Sequence, residues 1–308
     1  MHSDALPPGL YLVATPIGNL DDITLRALDI LKRADRIACE DTRQTQKLLN
    51  HFSITTPTIS CHEHNERHRA DELIGAIKAG GRIAVVSDAG MPGISDPGSV
   101  LVKEAIAAGV AVIPIPGANA ALSALVASGL PTSEFQFLGF LPEKAGARRT
   151  RLEDLAATQH DSPLTLILYE APHRILGTLA DIEAVFGPEL PVVAARELTK
   201  IHEEFLRGTV AEVRKELAAR DRIRGEFVLL IEAPARQTRP KALGAPGPDS
   251  GTGEGSSPAR ESVSSRVARL QAESGLDEKE ALKRLARELG QSKSELYREL
   301  QRERARRR

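Results

Sequence analysis

The chain encodes an α/β protein with two sheet-containing domains and a small helical appendage. Three features predict this. Apolar runs of strand type alternate with helical patterns through about the first 130 residues. Beyond residue 135 several such runs follow one another with no helix between them. A stretch dominated by Pro, Gly, Ser and Ala then separates this body from three short amphipathic segments.

In order, "LYLVAT" (10–15), "RIAC" (36–39), "TIS" (58–60), "RIAVVS" (82–87) and "AVIPI" (111–115) read as strands. "TLRALDILKRA", "RQTQKLLNHF", "ERHRADELIGAIKAG", "SVLVKEAIAAG" and "NAALSALVASG" read as helices between and after them. That alternation predicts a parallel sheet covered on both faces, over residues 8–130. "SGLPTSE" breaks the pattern. "FQFLGF", "LTLILYE", "PVVAAREL", "EEFLRGT" and "GEFVLLIE" follow, with helices near 145–157, 172–186 and 209–220. Residues 131–233 therefore predict a mixed sheet in an α+β domain. Residues 234–261 lack large apolar groups and predict a disordered linker. Residues 262–308 predict a basic helical module, in which "ARELGQSKSELYREL" has the cadence of a helix–turn–helix.

The chain has 308 residues and is 41% hydrophobic, enough for real cores, while 3% aromatics and no Trp make those cores aliphatic. Two cysteines, Cys39 and Cys61, form no CxxC pair and point to a reducing cytoplasm. The start "MHSDALPPG" has no basic or apolar leader, and no apolar run approaches membrane-spanning length, so a cytoplasmic protein with no membrane association is expected. The net charge of −1 conceals an asymmetry. From Ser262 onward there are 13 Lys and Arg against 8 Asp and Glu, leaving 28 against 34 in the body. An acidic body with a basic tail predicts that the tail, including Arg304 and Arg306, meets a polyanion.

The most informative stretch is "SDAGMPGISDPG" (87–98), with three glycines, two prolines and two aspartates between a strand and a helix. In an open parallel sheet such a loop lies where ligands bind. Glycine there allows positive φ and close backbone approach. Neither GxGxxG nor GxxxxGK[ST] follows a strand, which disfavours a dinucleotide cradle and an NTP loop. Acidic, Gly- and Pro-rich, with no basic cluster, the loop suits a ligand with a cationic centre such as a sulfonium. Asp96 in this stretch reads equally well as a cap for the following helix or as a ligand contact.

"ATPIGNLDDITLRAL", "EDTRQTQKLL", "SDAGMPGISDPG", "PIPGANAALSAL", "GFLP", "YEAPHR" and "RELTKIHEE" occur in this order over residues 10–232. Their set resembles the tetrapyrrole-methylase superfamily of S-adenosylmethionine-dependent enzymes. Within it the chain resembles the RsmI branch, the 16S ribosomal RNA cytidine-2′-O-methyltransferases. The resemblance implies two α/β domains with S-adenosyl-L-methionine folded into the cleft between them. It also implies a homodimer, and as substrate a cytidine in the decoding region of 16S ribosomal RNA in the small subunit. Carried onto this chain, the cofactor residues are Pro16, Ile17, Asp88, Gly90, Met91, Gly117, Asn119, Ala120, Tyr169 and Leu198.

Removing the proton of a ribose hydroxyl calls for a carboxylate or other base. Asp22, Glu40, Asp41 and Glu170 are the candidates, and the sequence does not choose among them. Arg43 and Arg174 suit phosphates, with Lys200 and His202 as outside candidates for the substrate side. "CHEHNERH" (61–68) tempts a zinc reading of Cys61, His62, His64 and His68, but the spacing is poor and no metal is expected. The resemblance instead puts His62 and His64 on a substrate-facing loop. Two alternatives stay open: a porphyrinoid C-methyltransferase, and a non-catalytic nucleic-acid-binding regulator.

Overall fold

The computed structural model describes residues 6–62, 65–96, 98–158, 162–233, 266–267, 270–271, 277–289 and 300. The chain divides into two compact units, Met1–Arg239 and Pro240–Arg308.

The first unit holds two five-stranded sheets. The first is built from β1 (Gly9–Val13), β2 (Arg36–Cys39), β3 (Thr58–Ser60), β4 (Arg82–Val86) and β5 (Val112–Ile115), in the order β3-β2-β4-β1-β5. All four pairings are parallel, as the alternation with helices requires. Residues of alternate parity serve opposite faces. Tyr11, Val13, Ile37, Ala84 and Val86 pack against Ala27, Ile30 and Leu31 of α1 (Leu25–Arg33) and Leu49 of α2 (Thr42–His51). Leu10, Ala38, Ile83 and Val85 pack against Leu73 and Ile77 of α3 (Glu66–Lys78) and Leu101 and Ala105 of α4 (Ser99–Ala107). Continuous apolar strands are thus explained by burial on both sides.

The second sheet contains β6 (Phe135–Phe140), β7 (Leu164–Glu170), β8 (Pro191–Arg196), β9 (Glu204–Thr209) and β10 (Phe227–Ala233), in the order β6-β7-β10-β8-β9. β6 and β7 are parallel and the other pairings antiparallel, so the sheet is mixed. Its outer face is covered by α6 (Ala145–Ala157), α7 (Ile175–Phe186) and α8 (Val210–Ala218), through Leu152, Ile175, Leu179, Ile182, Val213 and Leu217. Its inner face is covered by α5 (Ala120–Ser128), the last helix of the first α/β run. Ala121, Ala124 and Leu125 pack there on Ile167, Val193, Val228 and Leu230, which fixes one sheet against the other.

Local signals set the helix ends. Thr24 caps α1, Asn119 caps α5, Thr209 and Glu212 form a capping box on α8, and Gly129 ends α5 with φ +85°. At the start of α4 one of the two readings of Asp96 fails. Asp96 does not cap it; the buried carboxylate of Glu66 accepts the amides of Gly98 and Leu101 instead, at 3.0 and 2.9 Å. A tertiary neighbour supplies what the local sequence did not.

In the second unit, α9 (Glu278–Leu289) lies within the second expected amphipathic segment. Val267, Leu270, Ala281, Leu282, Leu285 and Leu300 form an apolar cluster there. The linker, Arg304 and Arg306 lie outside the described residues. No helix among the described residues is long and apolar enough to cross a membrane.

Candidate active site

The carboxyl ends of β1 and β4 carry the two loops that build one wall of a cleft. Thr15 and Gly90 tie these loops together by a pair of backbone hydrogen bonds, at 2.9 and 3.1 Å. Gly90 takes φ +79°, a conformation that side chains disfavour, so the glycine is needed for the bridge itself. The opposite wall comes from the end of β7, the turn after β8 and the start of β10. Between the walls lies a cavity of about 510 Å³, within the range of small-molecule sites.

Its apolar lining includes Ile17, Met91, Ala195, Leu198 and Val228. Tyr169 also lines it, edge-on to Phe137 and Phe140 with ring centroids 5.0 and 5.8 Å away. Burial pushes its phenol above the usual value, while the Ala121 amide donates to its oxygen. A β-bulge between Phe137 and Gly139 displaces the end of β6 beside this ring.

Five other titratable side chains line the cavity: Asp96, Glu170, His173, Lys200 and Glu226. Glu170 is buried, pairs with Arg174 at 3.0 Å, and accepts from the Thr178 hydroxyl and the Ala171 amide. Lys200 sits between Glu197 and Glu226 at 2.8 and 2.9 Å. Burial alone would lower its pKa, but these two carboxylates outweigh burial and hold it protonated above the usual value. His173 is exposed. Asp96 is half-buried, and burial pushes its pKa up to about 6, aided by the nearby charges of Glu40 and Asp88 and opposed by a hydrogen bond from Ser87.

The structure thus brings Ile17, Gly90, Met91, Asn119, Ala120, Tyr169 and Leu198 to one cavity. Pro16, Asp88 and Gly117 are not among its lining residues. Asp88 accepts the Asp41 amide at 3.3 Å and so joins the loops after β4 and β2. Gly117 is a close-packing position, where an added Cβ would sit 2.9 Å from that of Ala14.

Among the carboxylate candidates, Glu170 lines the cavity, but its oxygens are engaged by Arg174, Thr178 and Ala171. Asp41 caps α2 through the Arg43 amide and pairs with the Arg43 guanidinium. Asp22 is exposed at the end of a short 3₁₀ turn, and neither it nor Glu40 lines the cavity. Arg174 also donates to the Leu141 carbonyl at 2.7 Å, a supporting role in the fold. His62 contacts Asn65, His202 is exposed, and His64 lies outside the described residues. Among the described residues no His, Cys, Asp or Glu cluster suits a metal ion. Sequence reading left Asp96 undecided and missed His173 and Glu226 at the cavity; the signal for His173 was its place in "YEAPHR".

A family model described as tetrapyrrole (corrin/porphyrin) methylases matches residues 9–214. The chain is 49% identical over 94% of its length to a ribosomal RNA small subunit methyltransferase I of Halalkalibacterium halodurans, covering 93% of that protein. It is 51% identical over 75% of its length to one of Synechocystis, covering 81% of it. The chain belongs to the ribosomal RNA small subunit methyltransferase I family. Its fold is also that of uroporphyrin-III C-methyl transferase from Thermus thermophilus, solved with S-adenyl homocysteine, at 19% identity and TM-score 0.50 over 72% of this chain and 96% of that one. The family's match covers all of the first sheet and four strands of the second, and it includes the cleft lining apart from Glu226, Phe227 and Val228.

Proposed function

We propose that the chain transfers a methyl group from S-adenosyl-L-methionine to the ribose 2′-oxygen of a cytidine in the decoding region of 16S ribosomal RNA. The observation that carries this reading is the cleft of a small subunit ribosomal RNA methyltransferase I family member, in which seven of the ten expected cofactor residues converge.

The lining fits the cofactor. Gly90 lets the backbone approach, and Ile17, Met91 and Leu198 offer apolar faces to an adenosine. When bound, S-adenosylmethionine supplies an electrophilic methyl group. The chain's own contribution is to hold donor and acceptor in line, to exclude water through the apolar walls, and to receive a proton. Lys200, held at the cleft by Glu197 and Glu226, is the cation this reading assigns to a phosphate.

The homodimer and the cytoplasmic setting belong to the same reading. Leu122 and Val126, 47% and 76% exposed on α5, offer an apolar face for self-association. The basic stretch beyond Ser262 supplies charge for RNA.

Calorimetry with S-adenosylmethionine, followed by incubation with small ribosomal subunits and mass spectrometry of nuclease digests, tests the proposal. Cofactor binding and a methyl group on a cytidine ribose are expected. A methyl group on a base atom, or cofactor binding with methylation of a porphyrinoid alone, refutes it.

A further inference from the structure

We infer that Asp96 is the catalytic base of this cleft, the carboxylate that takes the proton of the acceptor hydroxyl. The inference rests on the methyl-transfer reading above. In the step, the hydroxyl oxygen forms a bond to the methyl carbon as the carbon–sulfur bond breaks. That bond's electron pair stays on sulfur, leaving a neutral thioether, and the hydroxyl proton passes to the Asp96 carboxylate and then to solvent.

The first support is elimination among the lining groups. Glu170 is committed to Arg174, Thr178 and Ala171, and Glu226 to Lys200. Lys200 is held as a cation and Tyr169 as a neutral phenol, so neither accepts a proton near neutrality. His173 is exposed. Asp96 alone of the carboxylates here faces the cavity without a basic partner among the described residues.

The second support is how the backbone delivers it. Ser95 adopts φ +61°, a left-handed conformation that is unfavourable for a side-chain-bearing residue. The loop thereby reaches across the cleft to β6, where a Cβ on Gly139 would lie 3.1 Å from the Ser95 Oγ. Gly139, itself at φ +64° beside the bulge, leaves the room. Strained backbone and a bulge thus come from opposite walls beside Asp96, which lines the cavity together with Tyr169.

The third support is electrostatic. Glu40 from the loop after β2, Asp88 from its own loop and Tyr169 from β7 face Asp96, with His173, Lys200 and Glu226 in the same cavity. The first two carboxylates and burial bring Asp96 to about 6, against a hydrogen bond from Ser87. A carboxylate so tuned is a stronger base than a free one, yet ionised at cytoplasmic pH.

The test compares the full-length parent with Asp96→Asn and His173→Gln, using small ribosomal subunits as substrate and S-adenosylhomocysteine as calorimetric probe. For Asp96→Asn, kcat is expected to fall by about 100-fold or more with S-adenosylhomocysteine affinity unchanged. The parent's kcat should decline as pH falls through about 6, and the variant's residual rate should lack that limb. Parent-like kcat in Asp96→Asn overturns the inference. So does a loss explained by weakened S-adenosylhomocysteine binding, or removal of the acidic limb by His173→Gln instead. A parent that leaves the ribose unmethylated overturns the underlying reading as well.

Discussion

The buried carboxylate of Glu66, on α3, accepts the amide of Leu101, on α4, at 2.9 Å. Together with the Gly98 amide it satisfies the start of a helix that has no cap of its own. The glycine- and proline-rich loop therefore ends at an anchor supplied from 32 to 35 residues earlier in the chain. Glu66→Ala should lower stability by about 1–3 kcal/mol, since it leaves buried amide donors unpaired. Denaturant unfolding checks this, and an unchanged midpoint would show that the anchor contributes nothing.

Asp96 should make the protein less stable as pH rises. Its folded pKa, about 6, lies above its ordinary 3.8, so the folded state binds more protons than the unfolded state between these values. Stability contributed by the protonated carboxyl is full below 3.8 and lost as pH rises through about 6. Asp96→Asn should therefore raise Tm relative to the parent at pH 8, with the gain shrinking toward pH 4. Thermal scans across that series decide it.

Asp181 shows the reverse sign. Burial would raise its pKa, but hydrogen bonds from Arg149 and Arg148 outweigh burial and hold it below the usual 3.8. The stability from this cluster is present above that value and lost as pH falls through the lower folded one. Removing Arg148, itself buried and 2.7 Å from Asp181, leaves a buried charge less well paired. Arg148→Ala should cost about 3–5 kcal/mol, measured by denaturant unfolding at pH 7.

Gly90→Ala tests the bridge between the β1 and β4 loops. An added Cβ would meet Ile17 at an ordinary 3.4 Å, so the difficulty is conformational rather than one of room. Forcing alanine to φ +79° should cost about 1–2 kcal/mol. Calorimetry should find weaker S-adenosylmethionine binding, because the Thr15–Gly90 pairing sets the cleft wall.

Deleting residues 240–308 should leave S-adenosylmethionine affinity unchanged and raise KM for small ribosomal subunits. The body left behind is acidic, and the removed segment beyond Ser262 is basic. The gap between truncated and full-length enzyme should narrow with salt, because phosphate contacts release counterions. Equal KM values at low salt would mean that the tail does not hold the substrate.

The order of elements, the parallel and mixed sheets and the loop that lines the cleft were legible in the chain itself. Apolar runs such as "RIAVV" and "LTLILYE", and the glycines and prolines between elements, are local signals that act within a few residues. The ordered motifs from "ATPIGN" to "RELTK" also carried the family. What the acids do was not legible. Glu170 and Asp41 look as available as Asp96 in the string of letters. Glu170 is taken up by Arg174 and Thr178, Asp41 by Arg43 and the start of α2, while the capping role Asp96 could have filled goes to Glu66. Whether a carboxylate is a fastener or a free base depends on which groups lie within about 3 Å of its oxygens. For Glu66 and Leu101, distant in sequence, only the packing of α3 on α4 decides it.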